Sequence, residues 1–525
     1  MDFRVATNIR WAPQKVKGAR QFRGGILRLE NWFRKAHARS ERVAAYPSIN
    51  VHVKDIARTA WASCFSMTLF WLAGMGVAQA VSIDPSHRYY QDARGKPVFL
   101  IGYYDWAAVP DGFFIDAPSR YRTMMEQGAP YKINYIRMSL SVNRFTDSTH
   151  PLSWNNQPTP VPFAYVHDKA DLDQWDAGFW SGLQNQCALA QQNGVIVMIS
   201  IFDGVEIRSN GGAAYGYANS FWNPANQTAR FYPDPDFNHN GQIDDRGEFY
   251  QTSNFNHHVG LGKYQRMLIV QAIAQTASYS NVMFEVGNEL GGSDPEWYSA
   301  VIEYAKSLTG KPITEEQNYV CGSTACGRAR HLDGWSEHVA NTPAQVKANV
   351  AQIVGHGVPA WEDPDGPLLS DASVSSDDLR RAAWYSFAGG AAGWGGFTVD
   401  YWSFGHGFNS ATASYYRNLQ SFIQDSGVQF WNMVPSHNLV SNNGSNSCLA
   451  RNGEYVVYVL NDASVDVDLT AVSGSLPCRP YDPRSNRWAA PQNVSGGARR
   501  TFHKPAGADD WIIYIGKGNA SGRSR

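Results

Sequence analysis

Val282-Met-Phe-Glu-Val-Gly-Asn288-Glu289-Leu290 is an apolar run that ends in Gly-Asn-Glu. A second run, Val358-Pro-Ala-Trp-Glu362-Asp363, places a carboxylate in the same way. Read as parallel barrel strands, the two end on one rim, so carboxylates distant in sequence can face each other across a pocket. Further strand-like runs surround them: Pro97 to Tyr104 leading into Asp105-Trp106, Tyr135-Ile-Arg137-Met, and Val195 to Phe202 leading into Asp203-Gly204. Later come Ile313-Thr-Glu315-Glu316, Arg330-His-Leu-Asp333-Gly-Trp335, and Gly393-Trp394 through Val399-Asp400. Helical patterns lie between most of them, as in Asp171 to Asn193, Tyr264 to Ser278, Pro295 to Leu308, Pro343 to Gly355 and Asp377 to Ala388. Eight alternating units predict an α/β fold, a (β/α)8 TIM barrel over residues 85–432, with long insertions.

Paired carboxylates at such a rim suit cleavage of a glycosidic bond. The transition state is an oxocarbenium-like cation with a leaving oxygen that must be protonated. One carboxyl must stay neutral near pH 7 to give that proton while the other stays ionised, which requires two different environments. Glu289 is assigned as acid/base, with Asn288 beside it to hydrogen-bond the sugar hydroxyl next to the anomeric carbon, and Glu362 as nucleophile. The plainer alternative is that Asn-Glu caps the helix beginning near Asp294 and that Glu362 is a loop charge.

The sequence resembles the clan A retaining glycoside hydrolases, of cellulase- and apiosidase-like type. That family places Asn-Glu at the end of strand four and a glutamate at the end of strand seven, matching Asn288-Glu289 and Glu362 by strand count. It also places an arginine on strand two against the nucleophile, which implies that role for Arg137, and a tryptophan near the end of strand eight, which implies Trp394. Two departures stand out. The family's strand-six tyrosine is replaced in Asp333-Gly-Trp335-Ser-Glu337-His338, and Glu315-Glu316 after Lys311-Pro-Ile-Thr itself reads like a nucleophile strand and ranks second.

Arg137 would keep Glu362 ionised, since an adjacent cation lowers a carboxyl pKa; a surface cation is the commoner fate of arginine. Asp105, Asp203, Asp333 and His338 are candidates for sugar hydroxyls, against a reading as turns or helix caps. Trp106, Trp335, Trp394 and Trp402 fall at or past strand ends, where a ring could stack on a sugar face. With 18 Trp, 26 Tyr and 25 Phe in the chain, many rings must instead be core.

At 525 residues, 43% hydrophobic and 17% charged, the chain is globular and long enough for a second domain. Residues 1–50 carry eleven Lys or Arg against three Asp or Glu and show no core pattern, as a misassigned start would produce. Residues 51–80 read as a secretory signal: Lys54 and Arg58, an apolar run from Ala60 to Val77, then Ala78-Gln79-Ala80 as the cleavage site. An uncleaved anchor is the alternative. The whole chain is −1 and its first eighty residues contribute +9, so the remainder carries −10, which argues against a nucleic-acid partner. The expectation is a secreted or periplasmic monomer acting on carbohydrate, with no membrane contact after cleavage.

Export gives the cysteines a meaning. Cys321–Cys326 and Cys448–Cys478 are predicted disulfides, with Cys187 free and buried in a helix; the spacing does not fit a four-cysteine zinc site. No cofactor is expected in the chemistry. A long insertion after the third strand carries Asp236-Phe-Asn238-His-Asn240-Gly-Gln242-Ile-Asp-Asp-Arg-Gly-Glu248, whose start resembles an EF-hand loop. Asp236, Asn238, Asn240, Gln242 and Glu248 are the candidate ligands of a structural calcium ion, against a plain Asx-rich turn.

After Gly427 short strands divided by Asn, Gly, Ser and Pro turns predict a small all-β sandwich over residues 437–517, followed by a disordered tail, 518–525. Tyr481-Asp-Pro-Arg-Ser-Asn-Arg-Trp488 resembles the small C-terminal modules of apiosidase-like barrel glycosidases, some described as collagen-binding. An exposed Trp488 would be a carbohydrate contact; packing of the domain on its barrel is the commoner arrangement. A polysaccharide- or matrix-binding protein on a barrel that no longer catalyses is the competing reading of the whole chain.

Overall fold

The computed structural model describes residues 80–104, 122, 125–140, 161–207, 216–217, 220–229, 249–290, 295–316, 332–337, 340–363, 374–397 and 409–516, with Tyr103, Tyr104, Val205 and Phe397 described by their backbone. These residues fall within one compact unit, Ala78–Arg525.

Eight parallel strands close into a barrel in the order of the sequence. They are β1 (Leu100–Tyr104), β2 (Tyr135–Ser139), β3 (Ile196–Asp203), β4 (Val282–Asn288), β5 (Ile313–Glu316), β6 (Trp335–Glu337), β7 (Ala360–Glu362) and β8 (Gly393–Phe397). Seven of the sequence's strand-like runs coincide with these strands; β6 begins only at Trp335, the last residue of its run. β3 and β4 are buried along their whole length, as strands covered on both faces must be. Around them lie α1 (Ala177–Gln192), α2 (Gly260–Thr276), α3 (Pro295–Leu308), α4 (Pro343–Ile353), α5 (Ser376–Ala388) and α6 (Ser410–Ser426).

Most of these helices begin on a side chain that takes up an otherwise unpaired backbone N–H. Asp176 accepts from Phe179, Thr342 from Gln345, and Asn409 from Ala411 and Thr412. Ser375 and Asp378 form a reciprocal capping box at the start of α5. No helix among the described residues is long and apolar enough to cross a membrane.

The C-terminal domain is a β-sandwich. A seven-stranded antiparallel sheet contains β9 (Ser447–Arg451), β10 (Glu454–Val459), β12 (Ser475–Asp482) and β14 (Trp511–Ile515). A two-stranded sheet of β11 (Ser464–Asp468) and β13 (Arg499–His503) covers it, and Val457, Val465, Val467, Phe502 and Ile513 share the core between the layers.

The predicted Cys448–Cys478 disulfide is not formed: both cysteines are free and buried. β9 pairs with β10, β10 with β14, and β14 with β12, so two strands separate the thiols. Three inter-strand steps span roughly 14 Å, whereas a bridge needs Cα atoms within about 7 Å. Cys187 is free and buried in α1, where burial pushes its thiol up to about 12. The predicted Cys321–Cys326 pair lies outside the described residues.

The sandwich docks on α5 and α6. Arg380 of α5 donates through Nη2 and Nε to both oxygens of Asp510, at 2.6 and 3.2 Å, with neither side chain exposed. Tyr458 also donates to Asp510, at 3.0 Å, and stacks on Trp384. Trp488 is not an exposed sugar platform. Half-buried, it stacks on Phe422 of α6 with centroids 5.2 Å apart and carries Arg479 on its ring.

Candidate active site

Among the described residues, the barrel strands and their carboxyl ends hold more buried acidic side chains than cations. Asp203, Glu206, Glu285, Glu289, Glu315, Glu316, Glu362 and Asp363 are all buried, and Arg137 is the buried arginine among them. Which side of the sheet each takes follows from register, because laterally paired residues point the same way.

Arg137 pairs with Met198, Met198 with Met283, and Glu285 with Thr314. The Thr314 hydroxyl reaches the Met198 sulfur at 3.4 Å, and the Tyr135 hydroxyl reaches it at 3.7 Å, so this row converges across the barrel interior.

Arg137 occupies the centre of that row. Its Nε and Nη2 donate to Glu285 Oε2 at 2.9 and 2.6 Å, and its Nη1 donates to Asn288 Oδ1 at 3.0 Å. Glu316 lies 3.8 Å and Asp363 3.7 Å from the same guanidinium. The guanidinium thus stands beside Glu285, Glu316 and Asp363. Asn288 is held at its other end by Asp203, whose Oδ1 accepts from Nδ2 at 3.1 Å. Asp203, expected as a sugar ligand, therefore fixes the Asn288 amide.

Glu289 follows directly on β4 in the left-handed backbone region, with φ 47°. Its N–H donates to Glu316 Oε2 at 2.5 Å. Its carbonyl oxygen lies where any side chain at Gly204 would collide, since a Cβ there would sit 1.9 Å away.

At β7 the alternation separates two neighbours. Glu362 pairs with Trp394, and Asp363 follows on the Arg137 side. The Tyr135 hydroxyl donates to Asp363 Oδ2 at 2.9 Å, and Asp363 Oδ1 occupies the space left by Gly395, where a Cβ would lie 2.0 Å from it. Burial first, and then the Asp363 carboxylate, hold the Tyr135 proton on well beyond the usual phenol range.

Trp335 and Trp394 are placed differently from the expectation. Trp335 Nε1 donates to the Ile353 carbonyl at the end of α4, 3.1 Å away, and its ring meets His356 edge-on. Trp394 Nε1 donates to the Tyr416 hydroxyl of α6 at 2.7 Å. Both indoles sit in the layer between barrel and helices, at most 1% exposed, and they serve packing rather than sugar stacking. Asp105, Trp106, His338 and Trp402, and the calcium candidates Asp236, Asn238, Asn240, Gln242 and Glu248, lie outside the described residues.

Sequence reasoning missed Glu285, Asp363 and Tyr135. Glu285 was signalled by a charge inside the apolar run Val282 to Val286, because a carboxylate buried there needs a partner. Tyr135 and Asp363 gave no comparable signal.

Neither a protein-family model nor a curated protein sequence matches this chain. Solved structures do. A structure described as a glycoside hydrolase, 12% identical, covers 83% of this chain and 97% of its own with a TM-score of 0.57. A glycoside hydrolase family 5 structure from Bacteroides vulgatus, also 12% identical, covers 83% and 93% with a TM-score of 0.58. At that identity the likeness is one of fold: the chain has the barrel architecture of these glycoside hydrolases.

Proposed function

We propose that this chain is a secreted retaining glycoside hydrolase acting on a poly- or oligosaccharide. The observation that carries the reading is the placement of Asn288-Glu289 at the end of β4 and of Glu362 at the end of β7, on one rim of a closed barrel. Glu289 acts as acid/base and Glu362 as nucleophile in a double displacement through a covalent glycosyl-enzyme. Asn288, clamped between Arg137 and Asp203, presents its amide in one fixed orientation. The chemistry uses no cofactor, and the protein works as a monomer.

One observation favours a second assignment of the nucleophile. Asp363, directly after β7, faces Arg137 and Tyr135.

A screen of polysaccharides and aryl glycosides, with NMR detection of the first-formed anomer, tests substrate and stereochemistry together. The expected product retains configuration, and Glu289→Gln lowers turnover by about 10²- to 10⁴-fold. A 2-deoxy-2-fluoro glycoside of the cleaved sugar should label Glu362; a label on Asp363 reassigns the nucleophile. Full turnover by Glu289→Gln would remove the acid/base assignment, and an inverted product would remove the double displacement.

A further inference from the structure

Glu316 takes no part in the double displacement, yet its geometry ties it to the acid/base. The Glu289 backbone lies in a region that L-residues with a side chain rarely adopt, and such a conformation persists where its surroundings impose it. Two contacts do so here. Gly204 clears the space that the Glu289 carbonyl enters, and a Glu316 carboxylate oxygen receives the Glu289 N–H at 2.5 Å. Hydrogen bonds to an ionised acceptor are the short, strong kind. Glu316 is fully buried on β5, the strand next to β4, so the acceptor is itself held by the barrel wall. From the other side the Arg137 guanidinium stands 3.8 Å from Glu316 and donates to Asn288.

Both members of the Asn-Glu dipeptide are therefore tied to one buried group of charges, Asn288 through its side chain and Glu289 through its backbone. We propose that Glu316 is a positioning residue that sets the direction of the Glu289 carboxyl by anchoring its backbone N–H. The proposal rests on the reading of Glu289 as proton donor. Glu316 touches no substrate in this role, and it does not replace Glu362 as nucleophile.

A misdirected acid harms only those reactions that need its proton. The test compares 2,4-dinitrophenyl and phenyl glycosides of the sugar found to be cleaved, because the first leaving group departs without protonation and the second does not. Glu316→Ala should lower kcat/KM for the phenyl glycoside by about 100-fold, the scale of a misplacement near 1 Å. For the formation of the glycosyl-enzyme from the dinitrophenyl glycoside, the loss should stay within about 5-fold. Glu316→Gln keeps an oxygen acceptor and should lie between Glu316→Ala and the parent. Independently of turnover, hydrogen exchange at the Glu289 amide should quicken in both variants while the β4 amides before it stay protected.

Equal losses on both leaving groups, or an unchanged exchange rate at Glu289 in a folded Glu316→Gln variant, would overturn the proposal. If the parent cleaves and Glu289→Gln shows the leaving-group signature but Glu316→Ala does not, this inference alone falls. If the parent cleaves no glycoside, the glycosidase reading falls and takes this role with it.

Discussion

Glu315 is the group whose removal has the most calculable effect. It sits on β5 with no exposure, and neither of its oxygens has a hydrogen-bond partner among the described residues. The charges that bear on it, Glu285 and Glu316, are both negative, and Tyr298 of α3 packs nearby with its own proton held on. Burial first, and then these two carboxylates, push Glu315 up to about 8 from an ordinary 4.5. The folded chain thus keeps this proton through neutral pH, while the unfolded chain releases it from pH 4.5 upward. Stability from this group is complete below pH 4.5 and is lost progressively as pH rises to 8, at about 1.4 kcal/mol for each pH unit. At pH 7 the cost amounts to about 3 kcal/mol. Glu315→Gln removes the titration and keeps the shape. Its amide is no better partnered than the acid, so at pH 4 the variant should match or fall slightly below the parent. Urea denaturation at pH 4, 5, 6, 7 and 8 should then show the variant gaining on the parent, by about 3 kcal/mol at pH 7 relative to pH 4. A constant offset across that range would refute the reasoning, since it would mean that Glu315 ionises in the folded chain as readily as in the unfolded one.

Two further outcomes follow from contacts already described. Gly204→Ala places a methyl 1.9 Å from the Glu289 carbonyl oxygen, so the Glu289 backbone must move; kcat on the cleaved glycoside should fall about 100-fold while the chain still unfolds cooperatively, as steady-state kinetics and a thermal melt would show. Asp510→Ala leaves Arg380 buried without its main partner at the junction of barrel and sandwich, and denaturant unfolding should register a loss of about 3 to 5 kcal/mol.

Most of the strands were legible because they are short apolar runs closed by polar or Gly residues, with helical patterns between most of them; β6, which starts only at the end of its run, was the exception. Position along a strand was legible too, which is why Glu289 and Glu362 were placed at strand ends from sequence alone. The side of the sheet was not. In strands buried on both faces the apolar run carries no alternation, so Val282 to Asn288 does not announce that Glu285 turns inward to Arg137. The same blindness put Trp335 and Trp394 in a sugar pocket, when register sends both toward the helices. For Cys448 and Cys478 the missing information was strand order: the last strand of the chain inserts between the two that carry them. Trp488 looked exposed because its partner, Phe422, belongs to another domain sixty-six positions away.

Among the described residues, buried carboxyls cluster around Arg137 beneath the rim. Glu285, Glu316 and Asp363 all lie within 4 Å of one guanidinium. Beside them Glu315, without such a cation, keeps its proton up to about 8. A two-carboxylate glycosidase needs one acid kept neutral and one kept ionised. A neighbouring cation or hydroxyl donor favours the ionised state of a carboxyl. Asp363, directly after β7, has both within reach, with the Tyr135 hydroxyl at 2.9 Å and Arg137 at 3.7 Å. Fluoro-sugar labelling thus decides between two acids that are adjacent in the chain but on opposite sides of the sheet.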